Sequence, residues 1–406
     1  MDNAASLFVD APVEEGHGAR AALLTPSGPV TYGDLQRLTD RAAHALRARG
    51  VEPEQRVAML LPDGPAWAAT FFAALKLGAV AVPLNTRLDA VQLRTVLADC
   101  RPKAVVADRA VLAAAGVDAA ALGPRGHDFD ALVARASDAA LAPEPVGGDA
   151  MAFWLYTSGT TGSPKAAVHC HRALPACHNY LDVLGVTAAD RIFATSKLFF
   201  AYALGSALLI PLRARASTYL HPGWPDPASV VTTMREVRPT LFFSVPTVYA
   251  RLLHADLPSE TFGSARLCVS AGERLPAELY AAWRERFGVE ILDGIGATEI
   301  IFMMSPTGPG AAAPGPPASR CRARKPGSWT RRAGRCRTGR RACSGCAHPR
   351  RPPGTGSAST TRAGRSWATG SAPVTSTAVR RTAGTCTAAA RTTSSRWPGS
   401  GWPRPR

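Results

Sequence analysis

Short apolar segments alternate with helix-like segments along the first 310 residues of this chain, and this alternation limits the folds that it can adopt. Residues 56–61 are apolar enough for a buried strand, residues 65–77 predict a helix that opens with proline, and Gly78 follows as a stop signal. Residues 79–83 predict the next strand. Because strands that alternate with helices form parallel sheets covered by helices, we expect an α/β protein.

The same alternation continues on both sides of this segment. Apolar residues at helical spacing predict a helix over residues 36–49, which Gly50 ends, and Asp89 is a suitable N-cap for a helix over residues 90–97. Residues 110–148 are rich in Ala, Gly and Pro and are expected to be peripheral. Further strands are predicted at 104–108, 151–156, 166–169, 241–245, 266–270 and 290–294.

A run rich in hydroxyl groups and glycine lies between two of these strands and reads Tyr156-Thr-Ser-Gly-Thr-Thr-Gly-Ser-Pro-Lys165. Glycine lets the backbone come close to a ligand, hydroxyl and N–H groups suit phosphate oxygens, and lysine adds a positive charge. The run lacks the spacing of a Walker A loop. Most clusters of this composition are surface loops, but the flanking strands favour a phosphate-binding loop. The residues expected to contact phosphate here are Thr157, Ser158, Gly159, Thr160, Thr161, Gly162 and Lys165.

Two later motifs each follow a predicted strand. Ser270-Ala-Gly-Glu273 follows one strand, and Asp293-Gly-Ile-Gly-Ala-Thr-Glu299 follows the next. Ligands of open α/β sheets bind outside the carboxyl ends of the strands, so two such turns can share one ligand. Taken singly, each motif is an ordinary glycine turn.

The run from Tyr156 to Lys165, followed by these two motifs in this order, closely resembles segments of the adenylate-forming enzymes. That family includes acyl- and aryl-CoA ligases, luciferases and the adenylation domains of peptide synthetases. Its members activate a carboxylic acid with ATP as an acyl-adenylate, and many then transfer the acyl group to a thiol. The resemblance implies an AMP-binding domain of parallel sheets covered by helices, with a small β-barrel region. One departure is Ala166, where the family usually has glycine, and an added methyl group is a mild change.

The resemblance also implies roles on the phosphate side of the site. Thr298 would contact the α-phosphate, and Glu299 would help to hold Mg²⁺, which prefers oxygen ligands. Lys165, together with its loop, would clamp the departing β- and γ-phosphates. Lys165, Thr298 and Glu299 are therefore the expected catalytic residues.

On the adenine side, the resemblance implies that Gly272 and Glu273 line the pocket and that Asp293 lies beside the adenine. The other residues of the two motifs expected to contact the nucleotide are Ser270, Ala271, Gly294 and Gly296.

The segment Lys197-Leu-Phe-Phe-Ala-Tyr-Ala-Leu-Gly205 is similar to the acid-pocket segment of the benzoate-CoA ligase branch of the family. Dense aromatic residues are as often core residues as ligand contacts. The resemblance implies that Phe200, Ala201, Tyr202 and Ile295 line a flat slot for an aromatic ring and that Lys197 pairs with the carboxylate. A planar, apolar slot with one polar end suits a benzoate.

The composition changes abruptly near residue 311. Residues 311–406 hold 20 of the 47 Lys and Arg residues, no Asp or Glu, and no Leu, Ile, Phe, Met or Tyr. Residues 1–310 therefore have a net charge near neutrality, at −3, although the whole chain is at +17. A segment with so little apolar surface cannot offset its chain entropy, so we expect residues 312–406 to be a disordered tail and residues 1–311 to be the AMP-binding domain.

Two interpretations of the tail remain open. One is a basic arm that binds nucleic acid or acidic surfaces non-specifically through charge. The other is a frameshift product, because in a shifted frame residues 316–340 can be read as TSGKPVPGTEARLVDEAGRPVPDGE, and residues 382–406 as DGRYVYCGRTDDVVKVAGIWVAPAE. Both strings resemble the parts of an adenylate-forming enzyme expected at these places. Resequencing that establishes an uninterrupted frame for the arginine-rich tail would exclude a slip near residues 311–313.

The expected function is the ATP-dependent activation of an aromatic acid of the benzoate type, followed by transfer to CoA. In the family a smaller C-terminal domain supplies an aspartate, a hinge and a lysine for adenylation, which the translated tail does not match. Weak binding of ATP or acyl-adenylate, and poor or no turnover, are therefore expected. The alternatives are a medium-chain acyl-CoA ligase, an enzyme that loads aryl groups onto a carrier protein, or a non-catalytic nucleotide- or nucleic-acid-binding protein. Cys100, Cys170, Cys177 and Cys268 are predicted to be free thiols, and no signal peptide or membrane span is visible, so a cytoplasmic location is expected.

Overall fold

The computed structural model describes residues 3–157, 164–301 and 305–307. Its strands are β1 (Ala21–Thr25), β2 (Gly28–Thr31), β3 (Arg56–Leu60), β4 (Val80–Pro83), β5 (Ala104–Ala107), β6 (Gly126–His127), β7 (Met151–Thr157), β8 (Lys165–Cys170), β9 (Arg191–Ala194), β10 (Ser217–Tyr219), β11 (Leu241–Ser244), β12 (Leu267–Ser270), β13 (Ile291–Ile295) and β14 (Ser305–Thr307).

The α-helices of the described residues are α1 (Ala4–Phe8), α2 (Ala11–Glu14), α3 (Tyr32–Ala48), α4 (Pro65–Lys76), α5 (Ala90–Cys100), α6 (Arg109–Ala114), α7 (Phe129–Val133), α8 (His178–Leu184), α9 (Ala201–Ala203), α10 (Ile210–Ala214), α11 (Pro227–Val237), α12 (Pro246–His254) and α13 (Ala277–Phe287). Shorter 3₁₀ segments cover Ala119–Arg125, His171–Cys177 and Ser259–Phe262, and a π-helical turn covers Leu204–Leu209. Among these helices, none combines the length and the apolar character needed to cross a membrane.

The strands form two sheets, and most of their pairs are parallel. The larger sheet has the order β14-β13-β12-β11-β9-β10-β1-β2, and the smaller has the order β6-β5-β3-β4-β7-β8. The antiparallel pairs lie at the edges and join β1 to β2, β13 to β14 and β7 to β8. The prediction of an α/β protein with parallel sheets is confirmed. All strands of the described residues belong to these two sheets, so the expected β-barrel region stays a prediction.

Alternate residues of the strands separate three layers of side chains. In β3, Val57 and Met59 belong to the largest core cluster, whereas Ala58 and Leu60 belong to a second cluster on the other face. In β11, Leu241 and Phe243 belong to the same largest cluster. The largest core therefore lies between the two sheets, as the period of two in each strand requires.

Helix α4 lies in this central core and is buried on all sides. Residues 67–76 are all buried, which is typical of a helix with apolar residues around its whole circumference. The helix ends one residue before the predicted end, and Gly78 follows with φ of +66°, a conformation that favours glycine. The sequence prediction for this helix is confirmed.

Capping side chains set the start of two other helices. Helix α3 begins at Tyr32 rather than at residue 36, because the Thr31 hydroxyl accepts from the Asp34 N–H at 3.0 Å and the Asp34 carboxylate accepts from the Thr31 N–H at 3.2 Å. The predicted N-cap Asp89 is confirmed, since its carboxylate accepts from the N–H groups of Val91 and Gln92. Helix α5 extends past its predicted end to Cys100.

Several predictions fall on residues outside the described part of the chain. These are the boundary at residues 311/312, the disorder of residues 312–406 and the frameshift, all of which stay predictions. The four cysteines of the described residues, Cys100, Cys170, Cys177 and Cys268, are free thiols as predicted.

Candidate active site

The ends of the predicted phosphate loop are held opposite each other by strand pairing. Thr157 ends β7, Lys165 begins β8, and the two residues are partners in the antiparallel register. The Lys165 side chain is exposed. Residues 158–162 lie outside the described residues, so their contact with phosphate stays a prediction. The pairing of β7 with β8 nevertheless places Thr157 next to Lys165.

The two later motifs lie side by side at the carboxyl ends of parallel strands. Ser270 at the end of β12 is the register partner of Asp293 in β13. Gly272 has φ of +91°, which a side chain would strain, so the turn depends on glycine here. Because β12 and β13 are adjacent, the two motifs that follow them lie close together, which is necessary if the two turns are to bind one ligand.

Asp293 has one carboxylate oxygen with a partner and one without. Its side chain is buried, with the residue only 5 % exposed, and Oδ2 accepts from the Leu275 N–H at 3.3 Å. Oδ1 is buried and accepts no hydrogen bond of normal distance and angle, although the Ser270 side chain and the Gly294 backbone lie near enough to the carboxylate to act against the rise in its pKa. Burial raises the pKa of Asp293 above its ordinary value. A buried acceptor without a donor costs free energy, so this oxygen is suited to a ligand that brings an N–H group.

Thr298 and Glu299 lie on the turn that follows β13, and the β8 residue His169 lies close to them. Burial lowers the pKa of His169. A hydrogen bond with the Thr298 backbone and the negative charge of Glu299 both counteract this by favouring the protonated imidazole. The imidazole stacks on Phe153, with ring centroids 4.6 Å apart. Glu299 itself is exposed. The edge strand β8, which carries Lys165, therefore runs beside the turn that carries Thr298 and Glu299.

The residues predicted for the aromatic-acid slot occupy different environments. Phe200 and Ile295 are large apolar side chains that are 43 % and 54 % exposed, so both present free apolar surface, whereas Ala201 is buried. The Tyr202 hydroxyl donates to the carbonyl groups of Ser244 and Val269, at 3.2 and 2.9 Å. Tyr202 thus lies across the ends of β11 and β12, next to Ser270.

Lys197 lies in a buried ion pair that sequence reasoning did not find. Its ammonium group is 3.1 Å from Asp63 Oδ2 and also donates to the carbonyl groups of His221 and Gly223. Burial lowers the pKa of Lys197 and raises the pKa of Asp63 to about 6. All three N–H donors have protein acceptors, so pairing with a substrate carboxylate requires the loss of one of them and stays a prediction. The position of Asp63, three residues after the buried strand β3, is the sequence feature that could have indicated a place for it near the ligand-binding ends of the strands.

His169, Cys170 and His171 do not form a metal site. His169 stacks on Phe153, while Nδ1 of His171 accepts from the Ala4 N–H at 3.1 Å, beyond the end of β8. The part of the chain that the structure describes contains no group of three or more His, Cys, Asp or Glu side chains placed to hold a metal ion.

The buried His171 predicts a dependence of stability on pH. Burial lowers the pKa of His171 from 6.5 to about 4, so between these values the unfolded state binds more protons than the folded state. The free energy of unfolding should therefore fall as the pH falls, by about 2 kcal/mol between pH 7 and pH 5 from this residue alone. His171→Asn keeps an acceptor for the Ala4 N–H and removes the titration.

The measurement is urea-induced unfolding of the wild type and His171→Asn at both pH values. Between pH 7 and pH 5, the free energy of unfolding of the wild type should fall by about 2 kcal/mol more than that of His171→Asn. Equal pH dependence in the two proteins would contradict the assignment.

Comparison with known proteins finds AMP-binding enzymes and aryl-CoA ligases similar to this chain. The family model described as "AMP-binding enzyme" matches residues 11–327. The chain is 39 % identical over 327 residues to a 3-hydroxybenzoate–CoA ligase of Aromatoleum sp., covering 77 % of this chain and 62 % of that protein. It is 40 % identical over 314 residues to a 4-hydroxybenzoate–CoA/benzoate–CoA ligase of Rhodopseudomonas palustris, covering 73 % and 58 %. The chain thus spans about three fifths of the length of these curated relatives.

Solved structures with similar folds include two aryl-CoA ligases. A benzoate CoA ligase from Burkholderia xenovorans superposes with a TM-score of 0.69 at 33 % identity, covering 77 % of this chain and 64 % of that one. An anthranilate CoA ligase in complex with anthranoyl-AMP superposes with a TM-score of 0.70 at 31 % identity, covering 77 % and 62 %. The predicted resemblance to adenylate-forming enzymes in fold is confirmed.

Proposed function

Because this chain belongs to the family of AMP-binding enzymes, we propose that it joins an aromatic carboxylic acid to the AMP portion of ATP, releasing pyrophosphate and forming an acyl-adenylate for later transfer to CoA. The observation that carries the proposal is the buried, unpartnered Oδ1 of Asp293 beside the Ser270–Glu273 turn. The exocyclic amino group of adenine supplies the N–H donor that this oxygen lacks.

The exposed apolar side chains of Phe200 and Ile295 support an aromatic acid. An aromatic ring placed against either side chain would bury surface that is now in contact with water, at about 25 cal/mol per Å². The names of the benzoate- and hydroxybenzoate-CoA ligases among the relatives support the same class of acid.

In the reaction, a carboxylate oxygen of the acid forms a bond to the α-phosphorus of ATP, and the bond from that phosphorus to the bridging oxygen breaks. The bridging electrons leave with pyrophosphate, so no proton transfer is needed. Two anions approach each other, and the site must supply positive charge and hydrogen-bond donors. Lys165, exposed at the start of β8, would hold the β- and γ-phosphates, and Thr298 would donate to the α-phosphate.

Mg²⁺ is part of the proposal, with Glu299 as its protein ligand. The carboxylate of Glu299 is exposed beside Thr298, and a hard oxygen donor next to phosphate is what Mg²⁺ prefers. When bound, the ion would neutralise phosphate charge. A cytoplasmic location is also proposed, because the four described cysteines are free thiols.

The test is calorimetric titration of the full-length chain with AMP, benzoate, and benzoyl-sulfamoyl-adenosine, a stable analogue of benzoyl-AMP. We expect the analogue to bind more tightly than AMP. Asp293→Ala should weaken the binding of AMP and of the analogue by about 10- to 100-fold, as expected for loss of a buried hydrogen-bond acceptor. Asp256→Ala, which removes an exposed carboxylate, is the matched control and should leave both affinities unchanged.

Other outcomes of the same titration separate the alternative functions. Preference for an octanoyl over a benzoyl analogue would favour a medium-chain acyl-CoA ligase. Binding of duplex DNA with steep salt dependence, without binding of AMP, would favour a nucleic-acid-binding protein. Equal affinity of wild type and Asp293→Ala for AMP would contradict the assigned adenine site.

A further inference from the structure

The Asp63–Lys197 ion pair joins the two sheets at the carboxyl ends of their strands. Asp63 lies three residues after β3 of the smaller sheet, and Lys197 lies three residues after β9 of the larger sheet. The residues are 6 % and 2 % exposed, so both charges are removed from water. The pair is therefore part of the internal framework at the edge where the candidate site lies.

The pair holds two chain segments in addition to its own charges. The Asp63 carboxylate accepts from the Leu198 N–H at 3.2 and 3.3 Å, which fixes the backbone just before Phe200. The Lys197 ammonium donates to the His221 and Gly223 carbonyl groups, the latter at 2.7 Å, which fixes the loop after β10. One buried centre thus sets the relative positions of these two segments.

Both segments carry aromatic side chains, which pack around the buried ring of Phe199. The ring centroids of Phe199 and Phe200 are 4.5 Å apart, and those of Phe199 and Trp224 are 6.1 Å apart. Phe200 is 43 % exposed, so its ring is available to a ligand. Trp224 is 38 % exposed, and the Arg87 guanidinium covers one face of its ring at 3.7 Å from the centroid, which leaves the rest of the ring to a ligand. We call Phe199, Phe200 and Trp224 the aromatic surface.

A buried ion pair is a poor device for stability, because the cost of removing two charges from water offsets most of their attraction. A pair of apolar side chains would fill the same volume at similar stability. Apolar side chains could not, however, bind the two carbonyl groups and the N–H that Lys197 and Asp63 hold. The Asp63–Lys197 pair is thus explained better by the two chain segments whose positions it fixes than by its contribution to the free energy of folding.

We propose that Asp63 and Lys197 are positioning residues that hold the aromatic surface in place for the ring of the acid substrate. This inference rests on the proposed function and assigns Lys197 a role behind the acid pocket instead of contact with the carboxylate. The ring of the acid would stack on Phe200, and substituents that extend the ring would reach Trp224. Misplacement of such a surface by about 1 Å is enough to reduce productive binding strongly.

The test compares the full-length wild type with Lys197→Met, Asp63→Asn and the double variant Lys197→Met/Asp63→Leu. For each protein, the affinities for benzoyl-sulfamoyl-adenosine and for AMP are measured by calorimetry, and the midpoint of urea unfolding is measured in parallel. Lys103→Met, at an exposed lysine, is the matched control. Asp63→Asn keeps the shape of the side chain and provides a mild variant if Lys197→Met does not fold.

We expect the double variant to unfold at a higher urea concentration than Lys197→Met, because it buries no unpaired charge. It should still unfold below the wild-type midpoint, because the buried Leu198 N–H loses its acceptor. Its affinity for the benzoyl analogue should nevertheless fall about tenfold, while its affinity for AMP changes by less than about twofold. Asp63→Asn should show the same selective loss to a smaller extent. If Asp63 and Lys197 only stabilise the fold, the double variant should instead regain affinity for the benzoyl analogue as it regains stability relative to Lys197→Met.

The outcomes separate failure of this inference from failure of the proposed function. If the wild type binds AMP but gains nothing from the benzoyl group, the proposed function fails. If the wild type prefers the benzoyl analogue and the double variant retains that preference, Asp63 and Lys197 are not positioning residues. Equal loss of both ligands in Asp63→Asn would also overturn the inference.

Discussion

Replacing Lys76 with methionine is expected to lower the free energy of unfolding by about 3–5 kcal/mol, because it leaves two buried carboxylates without their cation. The Lys76 side chain is 1 % exposed, and its Nζ lies 2.8 Å from Asp10 Oδ1 and also contacts the Asp40 carboxylate. Asp10 Oδ2 is buried without a partner, so the site already holds more negative charge than its hydrogen bonds satisfy. Equilibrium unfolding in urea at pH 8, followed by intrinsic fluorescence, measures the effect.

The loss in Lys76→Met should become smaller as the pH falls. Burial already raises the pKa of Asp40, and removal of the ammonium group would raise it further. A carboxyl group whose folded pKa is raised binds protons in the folded state first, so acid stabilises the variant relative to the wild type. Lys103→Met at an exposed lysine is the control and should change stability by less than about 0.5 kcal/mol. A loss below about 1 kcal/mol in Lys76→Met would contradict the paired, buried assignment.

Replacing Trp283 with alanine is expected to lower the free energy of unfolding by about 3–5 kcal/mol, because a large cavity would remain in the outer core of the larger sheet. Trp283 in α13 is fully buried, with its ring centroid 4.8 Å from Tyr249, 4.6 Å from Phe262 and 4.5 Å from Phe287. These rings pack against the outer faces of β11, β12 and β13. The same urea unfolding experiment measures the loss.

Trp283→Phe is the matched variant, since it keeps an aromatic ring and leaves a smaller void. Its expected loss is about half that of Trp283→Ala. Because β12 and β13 carry Ser270 and Asp293, a loosened outer core should also weaken the binding of AMP. Unchanged stability in Trp283→Ala would show that these rings are not packed as described.

The candidate site is built from strand ends of both sheets. The hairpin of β7 and β8 presents Thr157 and Lys165, while β12 and β13 present Ser270 and Asp293. His169 in β8 lies close to the turn with Thr298 and Glu299. A ligand with phosphate at one end and an adenine at the other would therefore contact both sheets, through a hairpin and a pair of turns that lie more than 100 residues apart in the chain.

The sequence predicted those parts of the fold that depend on local patterns. Helix α4 and its glycine stop, the Asp89 cap, and strands β3, β4 and β11 all follow from spacing and composition within about ten residues. The start of α3 was predicted too late, because the Thr31–Asp34 capping box was not recognised. Strands β1, β2, β9 and β10 and helices α1 and α2 were not predicted, since they are short and their burial comes from distant partners.

The motifs of the candidate site were likewise readable along the chain, because each is a turn that directly follows or joins predicted strands. Their order placed them in a family, and adjacency of β12 and β13 confirmed that Ser270 and Asp293 lie together. What remained inaccessible was the state of individual atoms, such as the unpartnered Oδ1 of Asp293. Whether such an atom has a hydrogen-bond donor depends on all the segments that pack around it in the folded chain.

By itself, the sequence determined the α/β class, the two strands on either side of the predicted phosphate loop and the family resemblance, because these depend on periodicity and on short runs of residues. The tertiary structure decided how fourteen strands of the described residues divide into two sheets, since backbone pairing carries no local signature. It also decided the partner of Lys197. A lysine beside an aromatic segment suggested a partner for a substrate carboxylate, but its buried partner, Asp63, lies 134 residues earlier in the chain, where only folding brings the two charges together.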